Sequence, residues 1–317
     1  MDRQTLHLQS SPHIPSRDST PKIMLSVFLA LLPAVAAGTY FFGYRALLVI
    51  FTSIFFALIT EVIFLLLRGR RPLPLDGSAL LTGLLLGLCL PAKIPLTLVA
   101  LGAIIAIVLG KQIFGGLGHN IFNPALVGRA FLQASYPVIM TTWITPVESW
   151  TADALSATTG ATPLSGTTDF SYAELFWGNT GGSIGETSAF AILIGGIFLL
   201  LIKNIDWRIP TGFLLSVTVF GGLLHLYDPI NPTPLTHLLT GGLLLGAFFM
   251  ATDMVTSPVS PTGSWIYAIA GGALVVIIRI FGGPPEGVMY SILLLNGFTP
   301  IIDRYTRAVP FGAVKTR

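Results

Sequence analysis

The chain has 317 residues, 53% of them hydrophobic and 10% charged, with a formal net charge of +3. That composition excludes an ordinary soluble domain and points to a polytopic membrane protein. The one cysteine, Cys89, lies in an apolar run, which excludes a disulfide framework or a cysteine-based metal cluster and leaves a buried structural thiol.

Residues 1–22 are polar with mixed charge and form a first segment. The apolar run that follows lacks a small-x-small cleavage site, so it reads as a retained first span. Windows near the ~20 apolar residues that cross a bilayer core as helix recur along the chain. They predict about ten spans, near 23–42, 46–67, 77–91, 95–110, 121–142, 188–203, 210–227, 235–251, 264–281 and 286–302. The expected fold is therefore an all-α polytopic membrane protein with one long loop, 143–187, and a tail, 303–317.

Charge orients these spans. With the N-terminus in the cytoplasm, only Arg45, Lys93 and Arg279 fall outside and Arg129 lies within a span, while the remaining Lys and Arg fall inside. Cytoplasmic loops carry such an excess of Lys and Arg. The 143–187 loop has no basic residue but holds Glu148, Asp153, Asp169, Glu174 and Glu186, so it faces outward, and both termini face inward. Net charge has no nucleic-acid meaning here, and no nucleic-acid partner is expected.

The chain also repeats itself. "ALLTGLLLGLCLP" (Ala79–Pro91) returns as "HLLTGGLLLGAFFMATD" (His237–Asp253), and "KQIFGGLGHNIFNP" (Lys111–Pro124) is echoed by "IRIFGGPPEGVMYS" (Ile278–Ser291). Two echoes in the same order relate 23–142 to 188–302 as five-span halves, against the alternative of chance similarity between Leu/Gly-rich segments. An odd number of spans per half inverts the second relative to the first. Inverted repeats with Gly-interrupted segments point to a site at the repeat interface.

Three charges fall where a membrane makes them expensive: Glu61 in the second span, Arg129 in the fifth and Asp253 at the end of the eighth. Such residues face the protein interior and mark function, or they sit nearer the interface and pair with a neighbouring donor. Arg129 follows Asn120, Asn123 and Pro124, which interrupt the helix; broken backbone is tolerated where it is buried in protein or lines a cavity. Thr252 and Asp253 form the matching feature of the second half. Glu61, Asn120, Asn123, Arg129, Thr252 and Asp253 are the candidate intramembrane ion or flavin site. The histidines have no i, i+3 or i+4 pair, so no metal site is expected. There is no G-x-S-x-G and no Walker A loop, so no stand-alone catalytic residue is assigned.

The outward loop contains "DALSATTGATPLSGTTDF" (Asp153–Phe170), rich in hydroxyls and without Lys, Arg, His or Cys. Ser and Thr are weak nucleophiles without an activating base, so this is no catalytic site. It suits attachment by another enzyme, because "TGATPL" (Thr159–Leu164) offers an exposed hydroxyl between small neighbours.

Together "SPHIPSRDSTPKIML", "LDGSALLTGLLLGLCLPA", "GGLGHNIFNPALVGRAFL", "TGATPL" and "FFMATDMVTSPVSPTG" resemble the D subunit of the Rnf electron-transport complex and the homologous B subunit of the sodium-pumping NADH:quinone reductase. The length, without a long N-terminal extension, favours the Rnf protein. The resemblance implies FMN joined through its phosphate to the Thr of an [ST]-G-A-T motif, here Thr162 after Thr159, Gly160 and Ala161, by a flavin transferase. The usual pattern carries an Asp six residues before that Thr. Position 156 is Ser, whereas Asp153 stands six before Thr159, so Thr159 is the alternative. A second, non-covalent flavin (riboflavin) within the bundle is implied as well. So are the A, B, C, E and G partners of the Rnf complex, a bacterial inner-membrane location, and electron relay between ferredoxin and NAD coupled to Na⁺ or H⁺ translocation. The family is thought to share a urea- or ammonium-channel-like fold, so a small-solute channel is the competing reading. Fold does not carry function.

Overall fold

A computed structural model describes residues 19–69, 76–144, 146, 171–282 and 286–307. The regular elements among them are all helical. The chain runs through α1 (Thr20–Phe42), α2 (Tyr44–Leu67), α3 (Ser78–Leu88) and α4 (Leu96–Ile107), which continues as a π-helical turn, Val108–Gln112. After these come α5 (Pro124–Ser135), α6 (Pro137–Met140), α7 (Tyr172–Trp177), α8 (Ala189–Leu201), α9 (Arg208–Tyr227) and α10 (Pro234–Leu239). The last elements are α11 (Leu243–Leu245), continuing as a π-helical turn, Gly246–Met250, then α12 (Pro261–Phe281) and α13 (Val288–Tyr305). Four of these, α1, α2, α9 and α12, are long and apolar enough to cross a membrane. Their surfaces carry exposed Phe51, Ile63, Leu215 and Ile269, which is where a lipid-facing side chain belongs.

Three of the expected spans are interrupted. The window at 77–91 is helical only to Leu88. The window at 121–142 divides at Tyr136, ahead of Pro137, whose ring removes a donor. The window at 235–251 breaks at Thr240–Gly242, where Gly241 and Gly242 take φ of 64° and 67°. Polar backbone freed inside an apolar bundle has to be satisfied from within. Ile184 N–H and Gly185 N–H donate to the carbonyls of Leu90 and Leu88 at 3.1 and 2.7 Å. Arg279 donates to the carbonyls of His237, Thr240 and Gly241 at 2.7, 2.8 and 3.2 Å. A single guanidinium thus closes the break between α10 and α11.

The neighbour relations recur along the chain. α2 packs on α3 and α4, and α4 on α5; later, α9 packs on α10 and α12, and α12 on α13. α1 against α8 and α5 against α13 join the two sets. In the two LLTG echoes, Thr82 and Thr240 each donate their hydroxyl to the carbonyl four residues back, Ser78 and Thr236.

Small residues set the closest crossings, as in membrane bundles generally. A Cβ on Gly195 of α8 would stand 1.9 Å from the Ala30 carbonyl oxygen of α1, and one on Gly128 of α5 would stand 2.6 Å from the Gly102 carbonyl oxygen of α4. Gly195→Ala is therefore expected to push α1 from α8 and cost at least the ~1–3 kcal/mol of an overpacked core. Gly222→Ala, whose Cβ meets Pro234 at an ordinary 3.5 Å, should be nearly neutral. Thermal-ramp size-exclusion chromatography in detergent compares the two.

Candidate functional site

Two buried polar centres occupy opposite ends of α3. The first surrounds a cavity of about 740 Å³, part of it open, among the N-terminal ends of α1, α3 and α5, the C-terminal end of α8 and the chain leaving the second π-helical turn. Its walls are mostly apolar, with Val27, Leu81, Leu85, Phe248 and Phe249, and a few polar groups converge on it: Ser78, Lys111, Asn120, Asn123, Thr252 and Asp253. An apolar pocket with a small number of placed polar groups is the usual form of a small-molecule site.

Each polar group has a local cause for its position. Asn123 caps α5, its Oδ1 accepting from Ala125 N–H and Leu126 N–H at 3.1 and 3.4 Å, with Pro124 at the first helical position. Its Nδ2 donates to the Met250 carbonyl at 3.4 Å, which ties α5 to the second π-helical turn. Asn120 donates to the Phe122 carbonyl and Thr252 to the Phe248 carbonyl, at 3.3 and 2.7 Å. Asp253 folds on its own turn, accepting from Val255 N–H and the Thr256 hydroxyl.

Lys111 is 2% exposed and sits in the first π-helical turn. Its ammonium donates to the Glu61 carboxylate of α2 and to the Ser78 hydroxyl of α3. Gln112 donates to the same Glu61 oxygen at 2.9 Å. An ion pair removed from water persists when its members are also hydrogen-bonded, and Ser78 and Gln112 supply those bonds.

The second centre holds Arg129 of α5 and Glu286, just before α13, which form a buried ion pair. Glu186 approaches from the turn before α8, its Oε1 accepting from Ser183 N–H at 2.7 Å. Glu286 lies within electrostatic reach of Arg129, Glu186 and Arg279. A small cavity beside the pair is lined by Cys89, Leu126, Gly241, Gly242, Met250 and Val288 among others. Cys89 is a buried free thiol, as its apolar stretch of sequence implies, and it stands beside this ion pair. Gly242 takes φ 67°, which L side chains rarely adopt, and a Cβ there would fall 2.5 Å from Glu186 Oε2, so Glu186 lies directly against this turn. Among the described residues, Arg129 Nε, Ser183 Oγ, Glu186 Oε2, His237 Nε2 and Arg279 Nε are buried without a hydrogen-bond partner.

The six intramembrane residues singled out from sequence therefore divide. Asn120, Asn123, Thr252 and Asp253 line the larger cavity, Glu61 stands behind its wall through Lys111, and Arg129 belongs to the other centre. By charge pattern alone Lys111 is one of the inside charges and Glu186 an acid of the outward loop, but both are buried. Glu286 draws no attention in the sequence because it stands at a predicted span edge, and Arg279, near the end of the span 264–281, counts there only as one of the three outside charges. The echo "IRIFGGPPEG" is the one signal that marks that neighbourhood. Thr159, Gly160, Ala161 and Thr162 lie outside the described residues. Among the described residues, no cluster of His, Cys, Asp and Glu could hold a metal ion.

Comparison with known proteins fits this architecture. Residues 7–312 match the NQR2, RnfD, RnfE family. The chain is 45% identical to the D subunit of the proton-translocating ferredoxin:NAD(+) oxidoreductase complex of Clostridium ljungdahlii, over 96% of each chain. It is 43% identical to the D subunit of the Na(+)-translocating ferredoxin:NAD(+) oxidoreductase complex of Acetobacterium woodii, over 100% of this chain and 98% of that one. It is also 42% identical to the D subunit of the ion-translocating oxidoreductase complex of Stutzerimonas stutzeri, over 93% of each. A family match across nearly the whole length, on an apolar helical bundle with these buried centres, places the chain among membrane proteins: it belongs to the NQR2, RnfD, RnfE family.

Proposed function

We propose that the chain is the membrane-embedded D component of an Rnf-type complex, which passes electrons between ferredoxin and NAD while Na⁺ or H⁺ crosses the membrane. The observation that carries this reading is the near-full-length likeness to proteins named for that activity in two organisms. The chain acts as part of a translocating oxidoreductase and has no stand-alone catalytic site. Its partners are the A, B, C, E and G components, with a flavin transferase for maturation. Its place is the bacterial inner membrane, with both termini in the cytoplasm.

The recurring neighbour relations and the paired LLTG hydroxyl bonds support two five-helix repeats, 23–142 and 188–302, in ten spans with the second repeat inverted. In that arrangement the larger cavity opens toward the cytoplasm, the Arg129–Glu286 centre lies toward the outer face, and residues 143–187 form the outer loop that carries the flavin.

Two flavins fit the chain. FMN is assigned to Thr162 by the T-G-A-T sequence and the outward placement of its loop. A second, non-covalent flavin suits the larger cavity by its lining: aliphatic and aromatic walls would hold a tricyclic ring, and a few polar groups would orient it. Flavin, when bound, supplies the electron-transfer chemistry, and the protein fixes its position and tunes its electronics. Of this chain's residues, Leu81, Leu85, Phe248 and Phe249 would pack on the ring, and Asn120, Asn123, Thr252 and Lys111 would give the wall its polar groups.

The test is genetic and biochemical. Membranes lacking this chain should lose ferredoxin-dependent NAD⁺ reduction and the accompanying ion uptake, and re-expression should restore both. Reduction and uptake that persist at the parental level without the chain would remove the assignment.

A further inference from the structure

A continuous hydrogen-bonded chain leads to the wall of the larger cavity. Asp76 Oδ1 accepts from the Ser78 hydroxyl at 2.5 Å, Ser78 Oγ accepts from Lys111 Nζ, and Lys111 Nζ also donates to Glu61 Oε1. Asp76 is half-buried, whereas Ser78, Lys111 and Glu61 are all buried. An ammonium carries three protons. Two are committed to Glu61 and Ser78, which leaves one uncommitted on a residue that lines the cavity.

We propose that Asp76, Ser78 and Lys111, with Glu61 as counter-ion, form a proton-uptake relay that serves the ligand of this cavity; the proposal rests on the reading of that ligand as a non-covalent flavin. An electron delivered into an apolar site places an uncompensated charge there, and such a charge is expensive unless a proton follows it. The electron comes from the ferredoxin-fed chain of the complex. For each electron, the Lys111 Nζ–H bond breaks and an N–H bond forms on the ring, leaving Lys111 a neutral amine beside the Glu61 carboxylate. Once Asp76 is protonated from the aqueous side, the Ser78 hydroxyl, which at rest donates to Asp76, turns to the Lys111 amine, gives it that proton and takes one from Asp76. The relay returns to its starting state, and one proton has moved from water to the ring per electron.

The surroundings favour this route over others in the same wall. Asp253 also lines the cavity, but both its carboxylate oxygens are engaged by Val255 N–H and Thr256 Oγ. Gln112 is bound to Glu61 and does not titrate. Glu61 lends its charge to both sides of the transfer: it holds the ammonium at rest and draws a proton back to the amine afterwards.

A structural role can be separated from a relay at Asp76. Its Oδ1 also accepts from Ser78 N–H at 2.9 Å at the start of α3. Asp76→Asn keeps an oxygen for that bond but has no transferable proton. In the purified complex, reduction of the non-covalent flavin would be followed by stopped-flow absorbance in H₂O and D₂O. Asp76→Asn and Ser78→Ala are each expected to slow the proton-linked phase by ~10²-fold, the lower end of what a positioned acid–base group contributes. Azide or formate, as small diffusible acids, should restore Asp76→Asn. Wild-type rates in both variants, or slow rates that neither acid restores in Asp76→Asn, would overturn the relay. The flavin released on denaturation is measured in parallel. A wild-type complex that releases none removes the cavity's ligand and the relay with it, whereas released flavin with unaltered kinetics removes the relay alone.

Discussion

Thr162→Val is expected to abolish flavin fluorescence of the denatured protein band when the chain is produced with its flavin transferase, and Thr159→Val to leave it intact. The effect should be all or none, because a phosphoester needs the hydroxyl and valine keeps only the shape. The argument for Thr162 rests on what surrounds it. Gly160 and Ala161 give it small neighbours in sequence, and the segment holds no base of its own to activate a competing Ser or Thr. The argument for Thr159 is the acid six residues before it, Asp153. Loss of fluorescence only in Thr159→Val would move the attachment by three residues and preserve the function. A dark wild-type band beside a demonstrably active transferase would remove covalent flavin from the chain and bring the channel reading forward.

The membrane class is legible from composition, because the bilayer restricts spanning structure to a few forms and marks them with apolar length. The same rule explains where sequence reading blurs. Windows 77–91 and 235–251 look like spans because they are apolar throughout, yet each leaves the helix partway. What permits this is distant: Ile184 and Gly185 serve the first break, and Arg279 serves the second. Glu61 and Arg129 can be found one at a time, since a charge in an apolar run stands out. Their partners cannot. Lys111 is 50 positions from Glu61 and Glu286 is 157 from Arg129, and each stands at a span edge where a charge attracts no notice. Asn123 is legible in kind, as a helix interruption before a proline, and the structure gives it the role of cap. Thr162 is picked out only by its motif, neither hydropathy nor charge singling it out, and it lies outside the described residues.

The Arg129–Glu286 pair gives the second large effect. Both members are buried, at 6% and 9% exposure, and the pair joins α5 to the start of α13, which connects the two sets of helices. Removing one member strands the other as a charge in an apolar bundle, so Glu286→Gln and Arg129→Met should each destabilise the protein by ~3–5 kcal/mol. Replacing both, as in Arg129→Met with Glu286→Leu, leaves no stranded charge and should recover most of that loss, since well-packed apolar substitutes for a buried pair are often neutral. Chemical denaturation in detergent, read by tryptophan fluorescence, checks the ordering. If the double variant is as unstable as the singles, the stranded-charge account fails. The recovered double variant then separates holding the fold from serving transport. Ferredoxin-dependent NAD⁺ reduction with normal ion uptake would make the pair a structural tie. Electron transfer without uptake would place the ion's route through this centre, where Glu186 Oε2 and the Nε atoms of Arg129 and Arg279 stand buried and unpartnered among the described residues.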